Sequence, residues 1–427
     1  MSSKNSKTHN VEQILADIIL FGCFILEVSI LSFAEKRLWG TWYTPLNCLV
    51  LPFCFVLLIV LSMPQSLGFV PFYTPSLYIW MAGMFVMAVP SWLLAIGYRR
   101  HRTDLTIASP APKRDKLLYV FCILLIIPFL FRIKGMMSSS LNMIGSDEFG
   151  EEFAVYGLFG HLLILLLACT IILFSCIRKN NRLLPILLII AITFIVFLNQ
   201  VKSWVIIPLI AGMISCLLTE RMHLSLRVVS IIAVSGIVLF MGSYFFMFII
   251  GNGADYNEHM GKYVLEHTYH YIASGILGMS EDVRMGIIEQ PQPEILFAPF
   301  VNAVHAITGE PYISAINPDY LEISTNGLQD NVRTFFGTIY ANSIDGFWIF
   351  VVTVISTMVY LVRIWAIQSQ SIYILAMDAW FCALLAMGWF EYYFFHVTTF
   401  EIPAILILLY TVSHVSTRRK EVACLAS

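Results

Sequence analysis

The chain has 427 residues and a formal net charge of −2, with 59% hydrophobic and 12% charged residues and a mean hydropathy of +0.80. That balance is far from a soluble globular average and places the protein in a bilayer as a polytopic membrane protein. No Walker or GxGxxG signature is present to support a nucleotide-driven pump, and no internal repeat or low-complexity segment is found.

A helix needs about 20 apolar residues to span the hydrocarbon. Eleven segments qualify: 12–33, 43–62, 75–98, 117–133, 156–177, 183–199, 203–219, 228–250, 346–366, 371–390 and 396–415. The first is longer than a signal-peptide core and lacks a small-residue cleavage site, so it reads as a retained helix. The expected fold is an all-α integral membrane protein of about 11 transmembrane helices. It divides into a first bundle of about eight helices (1–250), one large extracytoplasmic loop (251–345), and three last helices with a tail (346–427).

Cytoplasmic loops carry the excess of Lys and Arg. Placing the 99–116 loop inside puts 17 of the 25 basic residues inside, Lys36, Arg37, Arg221, Arg227 and Arg363 among them, and eight outside. The N-terminus is then outside and the C-terminus cytoplasmic. The eight outward bases are Lys4, Lys7, Arg132, Lys134, Lys202, Lys262, Arg284 and Arg333. Arg132 and Lys134 end the fourth segment, and Lys202 lies in a very short turn between two apolar helices, positions that suit either a lipid-linked phosphate or snorkelling to headgroups. Arg284 and Arg333 sit within the large loop, where ion pairs with neighbouring Asp282 or Asp330 compete with substrate contact.

The 251–345 segment is polar and aromatic, with twelve acids, three bases and four histidines (His259, His267, His270 and His305) and no Trp. Such a composition suits a folded site better than a linker. Its acidity repels nucleic acid. Its histidines and acids offer bases for activating a hydroxyl. His267 and His270, three apart after Glu266, share a helical face and suit either a metal or a packed Tyr- and His-rich helix. Glu391 and Glu401 flank the last outer turn, and Asp378 lies deep in the tenth segment, where an ionisable group needs a function or a partner. Eight of the nine cysteines fall in the apolar segments and Cys424 in the tail, so the exported loops hold neither a disulfide framework nor a Cys zinc site.

The hydropathy plan resembles the Wzy-type polymerases of O-antigen and capsular repeat units. So do the outer turn Asn199-Gln200-Val201-Lys202-Ser203, the run Tyr271-Ile272-Ala273-Ser274-Gly275, and Asp330-Asn331-Val332-Arg333-Thr334-Phe335-Phe336-Gly337 followed by Ser343-Ile344-Asp345-Gly346. Lys202 stands where that family commonly has arginine, which keeps the charge and loses the fork. The resemblance implies a fold like the GT-C-like polytopic glycosyltransferases, in the bacterial inner membrane. It also implies joining of undecaprenyl-diphosphate-linked oligosaccharides at the periplasmic face without cofactor or metal, alongside a flippase and a chain-length regulator. On that reading Arg132, Lys202, Arg284 and Arg333 offset charge on the leaving diphosphate, Tyr271 and Asn331 line the substrate, and His267, His270 or Asp282 takes the hydroxyl proton. The alternatives are an O-antigen ligase-type transferase and a non-enzymatic exporter of lipid-linked oligosaccharide.

Overall fold

The structure, a computed structural model, describes residues 2–63, 65–99, 115–139, 157–177, 182–199, 201–223, 225, 236, 238, 240–242, 258–286, 291–314, 316–317 and 319–425. In chain order its elements are α1 (Ser2–Trp39), α2 (Pro45–Ser62), α3 (Leu77–Arg99), α4 (Asp115–Ser139), α5 (Gly157–Cys176), α6 (Leu183–Leu198), α7 (Lys202–Leu218) and α8 (Glu258–Met285). There follow α9 (Ala298–Thr308), a hairpin of β1 (Leu321–Glu322) and β2 (Gln329–Asp330), α10 (Phe335–Ala341), α11 (Phe347–Ser369), α12 (Ile372–Ala386) and α13 (Thr398–Leu425). Ten of the eleven expected apolar segments coincide with helices. The remaining one, 228–250, lies outside the described residues except at 236, 238 and 240–242.

Among the described residues six helices are long and apolar enough to cross a membrane: Glu12–Trp39, Pro45–Ser62, Thr74–Tyr98, Lys116–Gly135, Gly157–Cys176 and Phe347–Ser369. Four more apolar stretches, Leu183–Leu198, Lys202–Leu218, Ile372–Ala386 and Thr398–His414, are shorter. The protein is an all-α membrane protein. Prolines 52, 90, 128, 208 and 403 stand inside α2, α3, α4, α7 and α13. Membrane helices tolerate this because neighbouring groups satisfy the backbone that proline frees.

The chain divides into two compact units. The first comprises Met1–Leu105, His270–Leu361 and Leu384–Val397. Its core is an aromatic column. Phe24 meets Phe53 edge-on, Phe53 stacks on Trp80 with ring centroids 3.4 Å apart, and Trp80 meets Phe336, which leads to Phe335 and Tyr392. Gly83 gives the Phe336 ring its place, since any Cβ there would collide with it. The outer surface of α1 is correspondingly apolar, with Ile18, Leu26 and Phe33 all more than half exposed, as lipid-facing residues should be.

Within this unit Glu35, fully buried, accepts from Ser91 Oγ at 2.5 Å and from Tyr360 Oη at 2.6 Å. Trp39 Nε1 donates to Ser91 Oγ at 3.0 Å and Leu46 N to Tyr360 Oη at 3.1 Å. A buried acid tied into such a network is what an apolar helix requires of any charge it keeps.

The second unit comprises Thr106–Tyr269, Val362–Ala383 and Thr398–Ser427. α5 and α7 pack closely because Gly212 lies against the Phe174 ring and Ser175 and Ser215 share a hydrogen bond of 2.9 Å, the small-residue packing that membrane helices favour. Arg363, counted above as a cytoplasmic loop base, is instead 2% exposed inside α11 and pairs with Asp378 at 2.9 Å. An apolar setting forces such a pairing, so the guanidinium cannot serve as a loop charge. The same bond gives Asp378 the partner its depth demands.

Candidate functional site

Within the 251–345 segment, polar groups of α8 meet those of the run 330–334. Along α8, His270, Ser274, Gly278 and Asp282 recur every fourth residue and therefore share one face. The run 330–334 lies across that face. It can approach so closely because α8 carries glycine there: a Cβ at Gly278 would strike the Val332 carbonyl, and one at Gly275 the Phe390 carbonyl. Thr334 N donates to Gly275 O at 3.2 Å, and Thr334 caps α10 by accepting from Gly337 N at 3.1 Å.

At one end of this contact His270 Nε2 lies 3.1 Å from Asp330 Oδ2, with each side chain 14% exposed. Burial works to raise the Asp330 pKa, but His270, Ser274 and the Val332 N–H outweigh it and hold the carboxyl below its ordinary value. Val332 N donates to Asp330 Oδ1 at 2.9 Å.

At the other end Arg333 meets Asp282. The guanidinium, 2% exposed, donates from Nε and Nη2 to the two Asp282 oxygens, from Nη2 to Asp319 O at 3.3 Å, and from Nη1 to Asp330 O at 3.3 Å and Val332 O at 3.1 Å. Guanidinium has five N–H donors, and these bonds engage all five. The side chain is thus a clamp on the 319–333 segment, with no N–H directed at a ligand. The sequence expectation of a pair with Asp330 is corrected to Asp282, 51 positions away. Burial raises the Asp282 pKa, the Arg333 charge and hydrogen bond oppose that, and Asp319 and Glu281 add to the rise, leaving the carboxyl above its ordinary value. The carboxyls at the two ends are therefore pushed in opposite directions. Twelve residues separate His270 from Asp282 on α8, or about 18 Å along the axis, so one reacting atom cannot meet both.

The remaining expected residues fall as follows. Arg284 is half exposed and grips the buried Glu281, not Asp282. Tyr271 stacks on Phe390 with centroids 5.9 Å apart. Asn331 Nδ2 donates to Asn317 O at 3.0 Å. These lie in the first unit. In the second unit, His267 Nδ1 is 3.1 Å from Tyr263 O, and its ring lies on the Tyr263 ring at 3.8 Å. Arg132 covers the Phe159 ring at 4.3 Å and Lys202 the Phe240 ring at 4.9 Å, both cation–π contacts. Glu401 pairs with His161 at 2.6 Å, and in the first unit Glu391 lies 3.8 Å from His396. Among the described residues no three of His, Cys, Asp or Glu gather as metal ligands.

Besides the Glu35 network, three features escaped the sequence reading. Asn199, 3% exposed in the turn before Lys202, has neither amide atom hydrogen-bonded among the described residues. A buried amide without partners marks a place for a ligand or water. Its position in the turn quoted for the family resemblance was the available signal. Asp330 was read as a partner for Arg333 and as the start of the quoted motif, because pairing with His270 requires the fold. The third is an apolar groove in the first unit, about 150 Å³, lined by Tyr78, Ile79 and Ala82 of α3, Phe336, Ile339 and Tyr340 of α10, and Trp348 and Val352 of α11. The run 330–334 leads directly into α10, one wall of that groove.

The apolar helices and the polar contacts of α8 define an all-α membrane protein with a candidate acid–base site. The chain belongs to the family of unknown function DUF6337, whose pattern matches residues 68–419. No curated protein and no solved structure matches it.

Proposed function

We propose that the protein is a glycosyltransferase that joins oligosaccharide repeat units carried on undecaprenyl diphosphate, at the periplasmic face of the bacterial inner membrane. About 11 helices span, with the N-terminus outside. The observation that carries this reading is the His270–Asp330 pair, an imidazole held against an ionised carboxylate at 3.1 Å in a chain otherwise built for lipid. A hydroxyl of the acceptor sugar attacks the anomeric carbon of the donor, the bond from that carbon to the diphosphate oxygen breaks, and undecaprenyl diphosphate leaves with the electron pair. His270 takes the hydroxyl proton and Asp330 stabilises the imidazolium.

Asp282 ranks below His270 because Arg333 occupies both its oxygens, and His267 below both because its own helix engages it. In the second unit Lys202, with Asn199 beside it in the turn, and Arg132 are cations suited to a phosphate-bearing lipid. Arg333 becomes a positioning residue that fixes the segment carrying Asp330. The groove of α3, α10 and α11 has room for only a short stretch of an isoprenoid chain. A flippase and a chain-length regulator are the implied partners.

A second reading, a non-enzymatic exporter, draws on the Arg363–Asp378 pair buried among apolar helices. Purified protein in vesicles given a lipid-linked repeat unit separates the readings on a gel. A ladder of multimers is expected. One transfer to a second acceptor would indicate a ligase, and no covalent product an exporter.

A further inference from the structure

α9 is polar on the wrong side for a helix in water. Asn302 faces the following loop, where its amide clasps Ile313 through Nδ2 to O at 2.9 Å and N to Oδ1 at 2.7 Å. His305 does the same, with Nδ1 2.7 Å from Pro311 O and Nε2 3.0 Å from Glu310. The opposite face carries Phe300, Val304 and Ile307, spaced at four and three residues and 54%, 56% and 88% exposed. Tyr312 and Tyr320 beyond the helix are also largely exposed. An amphipathic surface helix in solvent shows the reverse pattern.

Its length and setting say what covers that face. Eleven residues rise only about 16 Å, too little to span. Just before it, Phe297 meets Phe347 at the start of α11 with centroids 6.2 Å apart, and Phe347 stacks on Phe350 at 5.5 Å. Phe350 and Val354, 55% and 41% exposed, belong to the outer surface of a helix long and apolar enough to cross the membrane. The exposed face of α9 thus continues the lipid-facing surface of α11 within one unit. The helix Ala298–Thr308 carries no Lys, Arg, Asp or Glu, so anionic headgroups add nothing to its attraction.

We propose that α9 is an interfacial anchor whose Val304 and Ile307 face inserts into the acyl–headgroup boundary beside α11, by apolar burial alone. The test uses the full chain in phosphatidylcholine vesicles containing a phosphatidylcholine with a diazirine on its acyl chain, photolysed, digested and read by mass spectrometry. Lipid adducts are expected on the peptide bearing Val304 and Ile307 as well as on the Phe350 peptide, which is the internal control. Their yield should stay within about twofold when half the lipid is phosphatidylglycerol. In a Val304→Asp, Ile307→Asp double variant the α9 adducts should fall at least tenfold with the Phe350 adducts retained; a variant that fails to insert leaves the wild-type result to decide. Labelling of Phe350 without α9, α9 adducts that require phosphatidylglycerol, or crosslinks from α9 to a second copy instead of lipid would each overturn the proposal.

Discussion

Arg333 and Asp330 stand three residues apart in one short run and answer to different physics. Truncating Arg333 leaves Asp282 buried without its cation, a loss of about 3–5 kcal/mol. We therefore expect Arg333→Ala to lower thermal stability in detergent sharply, and Arg333→Lys to recover little of it, since an ammonium cannot supply five planar donors. An Arg333→Ala protein that melts like wild type yet makes no product would instead give Arg333 to the substrate. Asp330 is testable by pH. Its folded pKa lies below the unfolded value of about 3.9, so the stability it contributes is present in full above that value and is lost as pH falls through the folded pKa. Asp330→Asn should melt below wild type at pH 7, and the gap should close below about pH 4. A gap that ignores pH would remove the contact of an ionised Asp330 with His270. Asp282, raised in the fold, works with the opposite sign: its contribution is favourable below the unfolded pKa and disappears as pH rises through the folded one.

At the scale of elements, apolar length was readable, which is why ten helices fall on the expected segments. The 28-residue α8 carries too many polar residues for hydropathy to register, and was read as part of one large loop. Its pairing with 330–334 was hidden because it joins positions 51 to 60 residues apart and depends on glycine, whose signature is a missing side chain. The Glu35–Ser91–Tyr360 network was missed for a related reason: each member is one polar residue in an apolar helix, and only the packed bundle brings the three together. The close approach has a direct test. Gly278→Ala places a methyl against the Val332 carbonyl, and overpacking of this kind costs about 1–3 kcal/mol. A lowered melting temperature together with weakened activity is expected. Unchanged values would show that the run stands off from α8.

For the whole molecule, orientation rests on the distribution of basic residues. Burial of Arg363 removes one charge from the 17 assigned to the cytoplasm, leaving the bias two to one. A reporter active only after export should work after Gly309, and one active only in the cytoplasm should work near Thr106. Opposite readings would move α8 and its site to the other face. The central claim is that His270, oriented by Asp330, removes the acceptor proton in chain growth. The most direct measurement is the ladder formed from a lipid-linked repeat unit by purified wild type and His270→Ala at equal, folded protein. A general base contributes about 100- to 10,000-fold, so the variant should lose at least 100-fold in initial rate while still binding the substrate. A His270→Ala protein that builds the ladder within threefold of wild type would contradict the account.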